Sequence, residues 1–149
     1  MAFTATLELT MDRLVVDKMR KLLIAEDDQD LQLVVDFSLF NEGYSVAIYN
    51  NGVEVLENFE SFKPDVVILD QMMPKMDGLT TLQTLKERNL LEDVPVIFLT
   101  SKVYEADVKN YLACGARAVI AKPFDPTLLP NYVDQVVDHH FRGLIGKWE

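Results

Sequence analysis

Residues 64–70 read Pro64-Asp65-Val66-Val67-Ile68-Leu69-Asp70. Four apolar residues without polar alternation, closed by an acid at each end, suit a strand covered on both faces. Similar runs flank it: Leu22-Leu23-Ile24-Ala25 upstream and Val96-Ile97-Phe98-Leu99 downstream, with Tyr44 to Tyr49 and Ala118 to Ala121 as further candidates. A strand buried on both faces needs covering layers. Segments of helical length lie between the runs: Asp30 to Asn41, Asn51 to Phe62, Leu79 to Leu90, Tyr104 to Ala113 and Pro126 to His140. Gly43 and Gly115 supply helix stops, and Asp77-Gly78 supplies a start. Strand alternating with helix in this way is the pattern of an α/β fold on a parallel sheet.

Two segments stand outside the alternation. In residues 1–19, Leu7, Met11, Leu14, Val15 and Met19 recur at helical spacing, so an appended helix is expected. In the tail, Phe141, Leu144, Ile145 and Trp148 fall at i, i+3, i+4 and i+7, while Gly143 and Gly146 oppose a helix there. The expected division is an extension over 1–19, one domain over 20–140 and a tail over 141–149.

The 149-residue chain carries 14 Lys plus Arg against 24 Asp plus Glu, a formal charge of −10. This length suits one domain, and 49% apolar residues suffice for a core. The acidic excess opposes contact with a phosphate backbone or an anionic membrane, so no direct nucleic-acid binding is expected. The single cysteine, Cys114, excludes an internal disulfide and suits a cytoplasmic setting. No apolar run approaches the roughly 20 residues of a membrane span, and the first residues lack a secretory pattern.

In an open parallel sheet, ligands bind beyond the carboxyl ends of the strands. Those ends carry Glu26-Asp27-Asp28, Asp70, Thr100-Ser101 and Lys122-Pro123-Phe124. Carboxylates about 4 Å apart repel by roughly 4 kcal/mol per pair at an effective dielectric near 20, so a cluster of three needs either protonation or a cation, and a divalent metal is the simpler answer. Oxygen ligands without His or Cys favour a hard ion, and a site with room for water and a phosphoryl group suits Mg²⁺, with Mn²⁺ as a substitute. Lys122 then supplies a point charge for a phosphoryl oxygen, and Thr100 a hydrogen bond for another. An aspartate so placed is a nucleophile toward phosphorus. An acidic triplet alone reads as a charge cluster at a helix start; its co-occurrence with Asp70 and Lys122 reverses that reading. Asp77-Gly78 reads as turn and cap, and the adjacent His139 and His140 as a solvated helix end.

Together these residues resemble the receiver domain of bacterial two-component response regulators, over about Lys21 to His140. Leu22 to Asp28 resembles the family's first strand with its acidic pair, here Glu26 and Asp27. Pro64 to Asp70, followed by Met73-Pro74-Lys75-Met76-Asp77-Gly78, resembles the phosphorylation segment. Pro95 to Ser101 matches the strand bearing the switch hydroxyl, and Gly115 to Phe124 the segment bearing the lysine, where the family usually has a cis Lys–Pro bond.

The resemblance implies a flavodoxin-like doubly wound sheet of five strands, order 2-1-3-4-5, with five helices. It implies that Asp70 accepts a phosphoryl group from a histidine kinase or a histidine phosphotransfer protein. Glu26, Asp27, Asp70 and the backbone carbonyl of Met72 would hold the metal, and Thr100 and Lys122 would grip the phosphoryl group. Movement of Thr100 and the following loop would then alter the surface of helix four, strand five and helix five, toward a downstream target protein. A self-phosphorylating acceptor with intrinsic autodephosphorylation is implied, not a turnover enzyme. A stand-alone receiver, monomeric or weakly dimeric, is expected.

One position departs from the family. Many members carry Tyr or Phe on strand five, three residues before the lysine, and that ring rotates inward as the hydroxyl moves. Here the position is Val119, too small and too stiff at χ1 for the same motion. Tyr104, four residues past Thr100, is the candidate replacement; Ser101 lies in the same loop. Lys102 and Met72 occupy positions that tune autodephosphorylation in the family. Other readings are a receiver-like docking module without switching, a haloacid-dehalogenase-like phosphatase, and a flavodoxin-like cofactor binder. The phosphatase needs a second acid two residues after its nucleophile, where this chain has Met72. The cofactor binder needs a Gly and hydroxyl loop after the first strand, where this chain has Glu-Asp-Asp-Gln-Asp.

Overall fold

Leu22, Leu23, Ile24 and Ala25 are each at most 1% exposed, and so are Val66, Val67, Ile68 and Leu69, as unbroken apolar runs require. The computed structural model describes residues 19–146. The expected helix over 1–19, apart from Met19, and Trp148 lie outside the described residues. Along the chain, β1 (Arg20–Ala25), α1 (Gln29–Leu39), β2 (Tyr44–Tyr49), α2 (Gly52–Phe62), β3 (Val66–Leu69) and α3 (Gly78–Glu87) come first. They are followed by β4 (Val96–Thr100), α4 (Glu105–Ala113), β5 (Ala118–Ala121), a 3₁₀ turn (Pro126–Leu128), α5 (Leu129–Asp138) and β6 (Gly143–Ile145).

The sheet order is β2-β1-β3-β4-β5-β6 and every pairing is parallel. Alternate residues feed two cores. Leu22, Ile24, Val66, Ile68, Ile97 and Ile120 pack with α1 and α5, and Leu23, Val67, Leu69, Phe98 and Val119 with the layer of α2, α3 and α4.

Capping sets the helix starts. Asp28 accepts from the backbone N–H groups of Asp30 and Leu31 at 2.9 and 3.2 Å, Asn51 from Glu54 at 3.0 Å and Asp77 from Thr80 at 2.8 Å. Three helices end earlier than their expected ranges; α5 stops at Asp138, ahead of His140 at φ 55°. Asn41 and Asn89 adopt left-handed φ of 61° and 57°, which stops α1 and α3 short of the expected Asn41 and Leu90.

The sheet has six strands rather than the expected five, and the helical spacing of the tail does not produce a helix. Gly143, at φ +127°, takes a conformation foreign to a helix, and its N–H donates to the Arg117 carbonyl at 3.2 Å. Leu144 and Ile145 then alternate to opposite faces. Ile145 enters the α1–α5 core and Leu144 packs on the other, so the sheet continues beyond position 140.

Candidate metal centre

β1 lies between β2 and β3, so the loops after β1 and β3 part company and leave a crevice at the reversal of strand order. Glu26 and Asp27 follow β1, and Asp70 follows β3. The Asp70 N–H donates to the Ala25 carbonyl at 3.0 Å, which ties the two strand ends together. One carboxylate oxygen from each of Glu26, Asp27 and Asp70 lies within 4.8 Å of the others; Glu26 and Asp70 are buried and Asp27 is exposed. Lys122, after β5, donates to Asp70 Oδ2 at 2.8 Å and also to Glu26. A cis Lys122–Pro123 bond follows it, as the resemblance implies.

Three carboxylates gather where one ammonium contacts two of them, so negative charge is in excess. Burial pushes the Glu26 carboxyl above its ordinary pKa, with the nearby Asp70 charge acting the same way, against hydrogen bonds from Lys122 and the Asp28 N–H. Burial acts to lower the Lys122 pKa, but hydrogen bonds to Asp70 and Glu26 outweigh it and hold the ammonium above its ordinary value. The all-oxygen donor set, with one exposed arm, fits a hard divalent cation that keeps part of its water.

Asp28 does not join the cluster; it caps α1, so the bland reading of the acidic triplet holds for that residue alone. Met72 is 63% exposed, and its N–H donates to Asp70 Oδ1 at 3.2 Å, which lays its peptide against the aspartate. Thr100 is wholly buried, and its hydroxyl accepts from the Lys102 N–H at 3.2 Å. Ser101 is exposed and lines a cleft with Lys122, Phe124 and Leu31. Tyr104 is 79% exposed at the start of α4, with no capping hydrogen bond, whereas Val119 is fully buried.

Sequence reasoning missed several residues. Tyr111, on α4, is 1% exposed; its ring stacks on Phe98 with centroids 4.6 Å apart, and its hydroxyl donates to the Lys102 carbonyl at 2.9 Å. Burial, with the charges of Asp107, Asp70 and Asp77, pushes its phenol up to about 12. The buried Gln71 accepts from the Leu79 N–H at 2.8 Å and donates to Asp77, joining the Asp70 loop to the start of α3. Gly78 makes that approach possible, because a Cβ there would lie 2.5 Å from the Asp70 carbonyl oxygen and 2.6 Å from the Phe98 ring. The Asp-Gly pattern signalled the cap but not this closeness.

The Response regulator receiver domain family matches residues 22–134. Among curated proteins, the chain is 34% identical over 107 residues to the alkaline phosphatase synthesis transcriptional regulatory protein PhoP of Bacillus subtilis, covering 72% of this chain and 44% of that one. It is 35% identical over 132 residues to the transcriptional regulatory protein RprY of Bacteroides fragilis, covering 89% and 55%. The chain thus spans about half the length of the curated relatives it matches. Among solved structures, a response regulator described as putative from Chloroflexus aurantiacus superposes with a TM-score of 0.75 at 28% identity, over 81% of this chain and 99% of that one. Among the described residues, no helix is long and apolar enough to cross a membrane. The doubly wound sheet, the acidic crevice at its reversal point and the match over most of the domain agree: the chain belongs to the response regulator receiver domain family.

Proposed function

We propose that the chain is a Mg²⁺-dependent phosphoacceptor switch, with Asp70 as the acceptor. The observation that carries this reading is the convergence of Glu26, Asp27 and Asp70 within 4.8 Å, with the Lys122 ammonium held against Asp70. Glu26, Asp27, Asp70 and the Met72 carbonyl would hold Mg²⁺, or Mn²⁺ in its place. The bound ion supplies charge neutralisation for the transferring group. An Asp70 carboxylate oxygen attacks the phosphorus of a phosphohistidine. The new P–O bond forms as the P–N bond breaks, and the imidazole leaves with that electron pair and takes a proton. Lys122 and Thr100 then hold phosphoryl oxygens.

The donor is a histidine kinase or a histidine phosphotransfer protein, and the output is contact with a target protein in the cytoplasm. Hydrolysis of the acyl phosphate resets the domain, without turnover of an external substrate. Met72 stands where a phosphatase of the haloacid dehalogenase design carries its second acid, so no side chain there protonates a leaving oxygen.

Incubation with acetyl phosphate, with and without Mg²⁺, followed by intact mass measurement, tests the reading. The expected result is a gain of one phosphoryl group that needs Mg²⁺ and is absent in Asp70→Asn. No adduct, or an adduct that persists in Asp70→Asn, overturns it.

A further inference from the structure

Lys102 is held from two sides by residues of different elements. Its N–H donates to Thr100 Oγ1 at 3.2 Å, and its carbonyl accepts from the Tyr111 hydroxyl at 2.9 Å. Tyr111 is buried on α4, stacked on Phe98, in the same apolar cluster as Val119 and with Leu144 of β6 packed against that cluster. α4 also contacts β6 directly. β6 lies along the outer side of β5, with Val119 paired in register to Leu144. A strand neighbour therefore occupies the flank of β5 at position 119, where the chain has a small β-branched residue.

We propose that Tyr111 couples the Thr100 hydroxyl, through the backbone of Lys102, to β6. For its trigger the proposal rests on the phosphoacceptor reading. If the Thr100 oxygen turns toward a phosphoryl group, the Lys102 N–H loses its acceptor and the Ser101–Lys102 peptide is free to shift. The Lys102 carbonyl, in the next peptide and one Cα away, is the acceptor of the Tyr111 phenol, so a turn of the Lys102 backbone carries it along. A buried phenol without that acceptor must follow it or stay unpaired, so the shift reaches the α4 ring and the cluster under Leu144. β6 is the element suited to respond, because it is three residues long and, among the described residues, pairs on one side only. Tyr111 is thus a positioning residue, and Tyr104, exposed to solvent, has no part in the relay.

The experiment is amide hydrogen exchange by NMR on the wild type, Thr100→Ala, Tyr111→Phe and the double variant. Each single variant is expected to speed exchange of amides 143–145 by about threefold or more, with β1 amides unchanged. The double variant should exceed the larger single effect by little, as coupled sites require. Beryllofluoride with Mg²⁺, a phosphoryl mimic, should speed the same amides in the wild type and not further in Tyr111→Phe. Additive effects in the double variant, or unchanged amides 143–145 in either single variant, overturn the coupling. So does unchanged exchange in wild type with beryllofluoride bound at Asp70. The variant arms need no phosphorylation, so their outcome stands apart from that of the acetyl phosphate experiment.

Discussion

The two ends of the sheet each carry a charge cluster, and they are built for opposite purposes. At the amino end, Arg20 pairs with Asp134 at 3.3 Å and with Asp138 at 2.7 Å, and the Tyr44 hydroxyl donates to Asp134. Both carboxylates there are about half exposed, at 47% and 48%, so water carries part of their charge. At the carboxyl end, Glu26 and Asp70 are buried with Asp27 beside them, and the Lys122 ammonium contacts the two buried carboxylates. The first cluster clamps α5 to the start of β1 and is satisfied as it stands. The second keeps an excess of negative charge that a divalent cation would offset. A charge cluster therefore signals a binding site through its imbalance and burial, not through its size.

Five measurements sharpen this contrast. Lys122→Met strips the only ammonium from two buried carboxylates and should lower stability by about 3 kcal/mol in urea denaturation near neutral pH, with recovery on adding Mg²⁺. A loss below about 1 kcal/mol would mean that the carboxyl end is as well solvated as the amino end. Next, Mg²⁺ at a hundred times its Kd should stabilise the wild type by about 2.7 kcal/mol, seen as a raised Tm, and Asp70→Asn should lose most of this. Asp27→Asn removes an exposed arm without touching Lys122. It should weaken Mg²⁺ binding by about tenfold, roughly 1.4 kcal/mol, while metal-free stability rises slightly as repulsion is relieved.

The amino end should answer differently. Arg20→Met is expected to cost about 1 kcal/mol of stability at low salt and to leave the Mg²⁺ affinity unchanged. The smallest effect is a pH dependence. Burial, followed by the hydrogen bond to Asp134, raises the Tyr44 pKa in the fold, so the native state keeps a proton that the unfolded chain gives up near pH 10. The associated stability is intact below that pH and is lost as pH rises toward the folded value. Urea midpoints should fall above about pH 10 in the wild type and fall less steeply in Tyr44→Phe.

Much of the site was legible because the strand ends are legible. Apolar runs such as Val66 to Leu69 end abruptly at Asp70, and a parallel sheet brings such ends to one rim whatever the loops do. That rule brought Lys122 and the Glu26-Asp27-Asp28 triplet, distant in sequence, to one rim, and the family resemblance chose Glu26 and Asp27 within the triplet. Three features escaped it. β6 is three residues long, begins with Gly143 and is followed by Gly146, and its apolar residues fit a helical spacing as well as an alternating one. Only its pairing with β5, a long-range fact, decides between them. Tyr111 sits where an amphipathic helix places any core residue, and nothing local shows that its hydroxyl meets the Lys102 carbonyl. The early ends of α1 and α3 depend on left-handed asparagines, which sequence marks only as tolerant of that conformation.

The most direct measurement is calorimetric titration of Mg²⁺ into the metal-free protein, beside Asp27→Asn and Asp70→Asn. One saturable site per chain, weakened about tenfold or more in both variants, is the expected result. The account is contradicted if the wild type shows no saturable site, or if both variants bind Mg²⁺ as tightly as the wild type.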